Sequence, residues 1–279
     1  MENIRARDAR TVVLPAAATL LLVAAGPAAA QSFGDRYWIE AQVFRPNIDT
    51  TVDLTRTGGT RGTEIDFEND LGLKDTDNLP ALRGGVRFGR FFVAGEVYSL
   101  KRDASKTLTR DVVFDGVTYP TNVNLSSEFD SQIYRASLGY MFFQRDTWEM
   151  GATAGLFATD FAISTSGQGQ IGSNPVRQTE TRARDFIAPL PTVGVIGSAQ
   201  LAPRWVVSGR ADYMSLSLGD YGGGIANIEG DVAYKVTDNI ALGAGYRFVD
   251  YDLEVDKSDW EADVEYGFNG PFLFVRAGF

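Results

Sequence analysis

The chain has 279 residues, a formal net charge of −10, no Cys and no His. The acidic balance argues against nucleic acid as a partner, because phosphates are held by clustered Lys and Arg. The missing Cys excludes disulfides and a lipid-modified N-terminal Cys, and the missing His removes the usual proton acceptor near neutral pH.

Residues 1–30 read as a secretory signal peptide. Arg5, Arg7 and Arg10 precede the apolar run TVVLPAAATLLLVAAG, and Ala28-Ala29-Ala30 supplies small residues for cleavage before Gln31. With Pro15 inside it, the run is short of the roughly 20 apolar residues of a membrane-spanning helix. No later segment is apolar over about 18 residues, so no helical span is expected. Residues 31–279 then form the working domain.

From residue 31 the hydrophobic period is two, the spacing of strands. Tyr37, Ile39, Ala41 and Val43 face one way, and Trp38, Glu40, Gln42 and Phe44 the other. Leu82 to Phe88, Tyr134 to Phe142, Val193 to Val195, Trp205 to Tyr213, Ile228 to Tyr234 and Ile240 to Phe248 repeat the alternation. Short polar turns stand at 87–91, 144–148, 201–205 and 236–240, each followed by an aromatic residue or Ile. They take turns with longer polar loops expected at 48–79, 102–128 and 164–185, and shorter ones near 219–224 and 255–259. Four turns interleaved with five loops give about ten antiparallel strands, with eight as the alternative. Near the end, Trp260, Val264, Tyr266 and Phe268 are even-numbered whereas Leu273, Val275 and Phe279 are odd. That change of parity suggests a bulge at Asn269-Gly270-Pro271, or else a separate hairpin there.

An exported chain of this kind is either a soluble sandwich with its apolar face inward or a closed antiparallel up-and-down transmembrane β-barrel with that face toward lipid. Alternating short and long connections favour the barrel. So do aromatics at strand ends, which place Trp38, Trp148, Trp205 and Phe279 at the membrane interfaces. The terminal FLFVRAGF resembles the C-terminal signal by which outer-membrane barrels are recognised by their assembly machinery, although Ala277 stands where another aromatic is usual. More widely, the layout with GTEIDFENDLGLKDTDNLP before a strand resembles a group of Gram-negative outer-membrane barrel proteins. That resemblance implies a fold and an outer-membrane location, with lipid and lipopolysaccharide as surroundings, but no settled activity.

Outer-membrane barrel enzymes such as omptin-type proteases, the outer-membrane phospholipase, and lipid A deacylases and palmitoyltransferases resemble one another in using a His. A lipid-modifying enzyme is therefore disfavoured, and neither catalytic residues nor a cofactor are expected. On the inferred lumen side stand Arg83, Arg87, Arg135, Arg210, Lys235, Arg247 and Arg276, with Glu40, Glu96, Asp212, Glu229 and Asp231. In a narrow barrel these groups form ion-paired layers that block it, or line a small path for ions or minor solutes. Glu64, Asp66, Glu68 and Asp70 are the densest acidic run; they suit a solvated loop or a divalent cation bridging to lipopolysaccharide. Arg177, Arg182 and Arg184 are candidates for lipid phosphates at the outer leaflet.

Overall fold

A computed structural model describes residues 35–58, 61–171, 178–215 and 221–279. The expected signal peptide and Arg177 lie outside the described residues, which contain fourteen β-strands and no helix.

The strands are β1 (Tyr37–Phe44), β2 (Asn47–Arg56), β3 (Ile65–Asp66), β4 (Leu79–Phe88), β5 (Phe91–Thr107), β6 (Val112–Phe114) and β7 (Val117–Tyr119). They continue with β8 (Asn124–Gln144), β9 (Trp148–Ile171), β10 (Gln178–Ala202), β11 (Trp205–Ser215), β12 (Tyr221–Lys235), β13 (Ile240–Asp256) and β14 (Trp260–Gly278). β1 and β2 are one rung broken at Arg45-Pro46, because both pair along β14, from Phe44 opposite Phe272 to Asn47 opposite Asn269. β1 also pairs with β4, and the antiparallel ladder runs on through β5, β8, β9, β10, β11, β12 and β13 back to β14. The result is a closed ring of ten rungs. Phe279 completes the seam: its N–H donates to Tyr37 O (2.8 Å), and Tyr37 N–H donates to Phe279 O (2.9 Å). The short turns fall at 89–90, 145–147, 203–204 and 236–239, on the side of both chain ends.

Inside lipid a strand needs only about 9–11 residues to cross. β8, β9 and β10 have 21, 24 and 25. At about 3.3 Å per residue the longest run is roughly 80 Å along the strand, so more than half of it stands above the membrane. The side chains record that boundary. On β13 the outward positions read Ile240, Leu242, Ala244, Tyr246 and Phe248, then Asp250, Asp252, Glu254 and Asp256. On β8 the outward face passes from Tyr140, Leu138, Ala136 and Tyr134 to Gln132, Asp130 and Glu128. The inward face changes in the opposite sense, from charged residues below to apolar ones above. β8 and β13 thus invert their chemistry with no register shift at the crossing.

This inversion corrects the expected loops. Segments 102–128 and 164–185 continue as strand over more than half of their length and 48–79 over 48–56, since outward polar alternation above the membrane still builds a sheet. It also corrects the bulge and the hairpin at Asn269-Gly270-Pro271. β14 is continuous there and shows no register shift against β13, β1 or β2. Even positions face inward from Trp260 to Arg276, and only the lining changes from aromatic to charged. Gly270 is required at the inward crossing, because a Cβ there would sit 2.3 Å from Arg45 O. Above the membrane, β13, β14 and β2 align Glu254, Asp263 and Asp53 across the sheet. Like charges directly opposite one another cost stability, and the acidic balance of the chain is concentrated on this face.

The boundary predicts position-dependent tolerance on one face of β8. Leu138→Arg should cost about 2–4 kcal/mol, and Gln132→Arg no more than about 1 kcal/mol. Urea unfolding in phospholipid vesicles measures both.

Candidate functional site

The interior is built in two layers. In the membrane zone an alternating chain of charges crosses the lumen. Arg276 meets Glu40 at 2.6 Å, and Glu40 meets Arg83 at 2.7 Å. Arg83 reaches Glu229 at 2.6 Å, Glu229 meets Arg247 at 2.7 Å, and Arg247 meets Glu96 at 2.6 Å. The chain continues through Arg135 (3.2 Å from Glu96) and Asp212 (2.5 Å from Arg135) to Arg210 (2.7 Å from Asp212). Strict alternation of sign lets each buried charge see opposite neighbours, without which its desolvation would not be repaid. A separate pair joins Arg87 of β4 to Glu149 of β9 at 2.5 and 3.1 Å.

Above the charges lies a layer of rings. Arg247 sits at the border, 1% exposed, with the rings of Phe44, Tyr98 and Phe272 at 5.5, 5.5 and 5.8 Å from its guanidinium carbon. Its charge is thereby shared between carboxylates below and aromatic faces above. Higher still, Tyr266 of β14 packs on Phe129 of β8 at 5.4 Å and Phe161 of β9 at 5.7 Å. Tyr266 Oη and Ser131 Oγ are hydrogen-bonded at 3.0 Å. β8 and β9 lie across the ring from β14, so these contacts span the lumen.

Two loop segments close the top. The first, between β2 and β4, carries Phe67, Leu71 and Leu73 into the core, and Phe67 meets Phe129 edge-on at 5.5 Å. Arg102 fixes it by pairing with Glu68 and donating to Thr50 Oγ1 (2.6 Å). The second is the β6–β7 hairpin, whose Val112, Phe114, Val117 and Tyr119 are fully buried. Its turn uses Asp115 (φ 47°) and Gly116 (φ 75°), a conformation that Asp and Gly tolerate. Asp115 accepts a hydrogen bond from Arg184 at 2.7 Å.

All twelve lumen charges named from the sequence lie on the inward face: eleven are buried or half-buried within the barrel, and Lys235 stands at the turn end of β12. Glu149 belongs with them, although no alternating apolar run was read in β9 that would have placed it. The aromatic layer has no signal of its own in the sequence, because the even-numbered run through Tyr266 and Phe268 alternates just as the lipid-facing run through Leu273 and Val275 does. Trp148, Trp205 and Phe279 are outward at the turn end, where Trp205 packs on Tyr234 at 5.0 Å. Trp38 is a correction. It shares the inward face of Glu40, and Arg276 stacks on its ring at 5.8 Å, while Tyr37 takes the outward position. Arg182 and Arg184 are also turned inward, to Glu180 and Asp115, and not to lipid phosphates.

The acidic run does not converge on one point. Glu68 goes to Arg102, Asp70 to Arg110, and Asp66 to the N–H and side chain of Asn69, while Glu64 stands exposed. Among the described residues no three acidic side chains are grouped to hold a metal ion, because the nearby arginines have already divided the carboxylates. The hydrogen bond from Arg110 holds Asp70 below the usual carboxylate range. At the turn end the lumen opens into a cavity of about 190 Å³, walled by charged residues together with Trp38, Phe92, Met141, Ile196 and Val206.

No protein-family model matches the sequence, and no curated protein does. Among solved structures the chain is similar to the outer membrane protein OprG from Pseudomonas aeruginosa, at 12% identity over 88% of this chain and 99% of that one, with a TM-score of 0.39. It is similar to the toluene transporter TodX from Pseudomonas putida at 11% identity, over 88% and 90%, with a TM-score of 0.34. The transport unit of the autotransporter AIDA-I from Escherichia coli gives 8%, 91% and 93%, with a TM-score of 0.41. The closed ring of antiparallel strands and its outward apolar belt are themselves the features of an outer-membrane barrel.

Two outcomes follow from the site. Arg247→Leu leaves Glu96 with Arg135 alone and Glu229 with Arg83 alone, so it should destabilise the barrel by up to about 3–5 kcal/mol, with part recovered by adding Glu229→Gln; denaturant titration of the single and double variants reads this. For Asp70, a lowered folded value means that its contribution is complete above the unfolded value of about 3.9 and disappears as pH falls through the folded value. The advantage of wild type over Asp70→Asn, about 0.2–1 kcal/mol for so exposed a pair, should therefore be present at neutral pH and vanish in acid. Hydrogen exchange in residues 63–73 follows it.

Proposed function

We propose that this chain is a sealed outer-membrane barrel with a structural or surface role, and neither a channel nor an enzyme. The observation that carries the reading is Tyr266, which rests on Phe129 and Phe161 of the opposite wall and leaves the upper lumen filled by rings. The alternating chain of ion pairs beneath it ties eight of the ten rungs together, which favours rigidity over passage. Lipopolysaccharide and outer-leaflet lipid surround the belt, and the assembly machinery acts during insertion. Glu40, Glu96, Glu149, Asp212 and Glu229 of the lumen are engaged by arginine, Asp231 alone of the lumen acids named above is not, and the chain has no His or Cys to activate a nucleophile. The cavity at the turn end favours a second reading, a narrow path for ions or minor solutes, which would require the aromatic layer to move aside.

Planar-bilayer recording separates the two. Wild type should give a flat baseline, and Phe129→Ala combined with Tyr266→Ala should give openings by removing both sides of the contact. Persistent steps in wild type that change size with Arg210→Ala would overturn the sealed barrel.

A further inference from the structure

The cavity at the turn end contains a buried carboxylate that the ion-pair chain does not use. Asp231 on β12 lines it and is 5% exposed. Among the described residues its Oδ1 accepts no hydrogen bond and no ion pair reaches the side chain. Arg83 and Arg276 are near enough to act on it electrostatically. Both are committed elsewhere, Arg83 to Glu40 and Glu229 and Arg276 to Glu40. The other arginines of the wall, Arg87, Arg135 and Arg210, are likewise paired with carboxylates. Asp35, also in the wall, has no ion pair among the described residues. Every arginine of the cavity wall thus has a carboxylate partner, although the Nε of Arg135 meets no acceptor, and Lys235 at the turn end acts on Asp35 and not on Asp231.

A buried carboxylate without a donor is costly, and such a group in a native fold calls for an occupant that supplies one. Three features of the cavity say what kind. The demand is for N–H or O–H donors, best met by a charged donor. The volume of about 190 Å³ is several times the roughly 30 Å³ of a water, and no group of three acidic ligands exists among the described residues for a bare metal ion. Finally, Phe92, Met141, Ile196 and Val206 form apolar wall, which a fully hydrated ion would not use.

We propose that this cavity binds a small organic ammonium ion, with its N–H groups donated to Asp231 and its hydrocarbon part against Phe92, Met141, Ile196 and Val206. The ligand enters from the turn end, past Asp35 and Trp38, so the site does not depend on whether the barrel conducts. Binding is accordingly read on the full chain in non-ionic detergent, apart from any bilayer recording.

The test is calorimetric titration with n-butylammonium chloride, with n-butanol as the uncharged comparator. Wild type should bind the ammonium ion at least tenfold more tightly than the alcohol. Asp231→Asn should lose at least tenfold for the ammonium ion and little for the alcohol. That variant keeps the side-chain shape and removes a buried charge, so it should fold, which its unheated gel mobility checks. As a second readout, n-butylammonium chloride should raise the thermal midpoint of wild type more than equal sodium chloride does, and the difference should vanish in Asp231→Asn. Equal affinity for alcohol and ammonium ion, an unchanged Asp231→Asn, no heat in wild type, or an equal rise with sodium chloride would each overturn the site.

Discussion

Everything in this molecule depends on the pairing of β14 on both of its edges. It joins β13 on one side and the broken rung of β1 and β2 on the other, so the ladder has no free edge. Within lipid there is no water to satisfy an N–H or C=O, and each orphan costs several kcal/mol. Once the ring is closed, the main chain is satisfied by geometry alone. Side chains are then sorted only by which face they occupy and at what height.

That sorting differs between two zones of the same strands. In lipid, apolar residues face out and the interior is free to hold charge. Above it, water surrounds the barrel, and the hydrophobic effect drives the apolar side chains inward instead. The transition falls between Phe248 and Asp250 on β13 and between Tyr134 and Gln132 on β8. Arg247 stands at the matching level inside, touching carboxylates below and rings above. The molecule is a membrane barrel and a water-exposed barrel built in one continuous register.

This arrangement favours a sealed structure. Charges in a narrow lumen need partners, and alternation supplies them without a gap. Rings from opposite walls fill the next level, and the two loop segments cover the rest through Phe67, Phe114 and their neighbours. The unused carboxylate of Asp231 lies below these layers, in the wall of the cavity at the turn end.

Much of this was legible in the chain. Period-two alternation, the four short turns and the apolar strand ending at Phe279 pointed to an antiparallel barrel of about ten rungs, with eight as the alternative, because strand geometry sends successive side chains to opposite faces. The inward charges followed from the same parity. What the pattern could not say is whether an apolar face looks at lipid or at a core, since both have period two. The change of parity after Tyr266 and Phe268 therefore suggests a bulge or a hairpin that the fold does not contain, and the acidic run from Glu64 to Asp70 suits a solvated loop. Only the closed tertiary structure settled those positions, because solvent on the outer face changes along the strand while the register does not. The cross-lumen partners of Arg83, Arg135 and Arg247 were likewise decided by closure, which brings together residues dozens to more than a hundred positions apart.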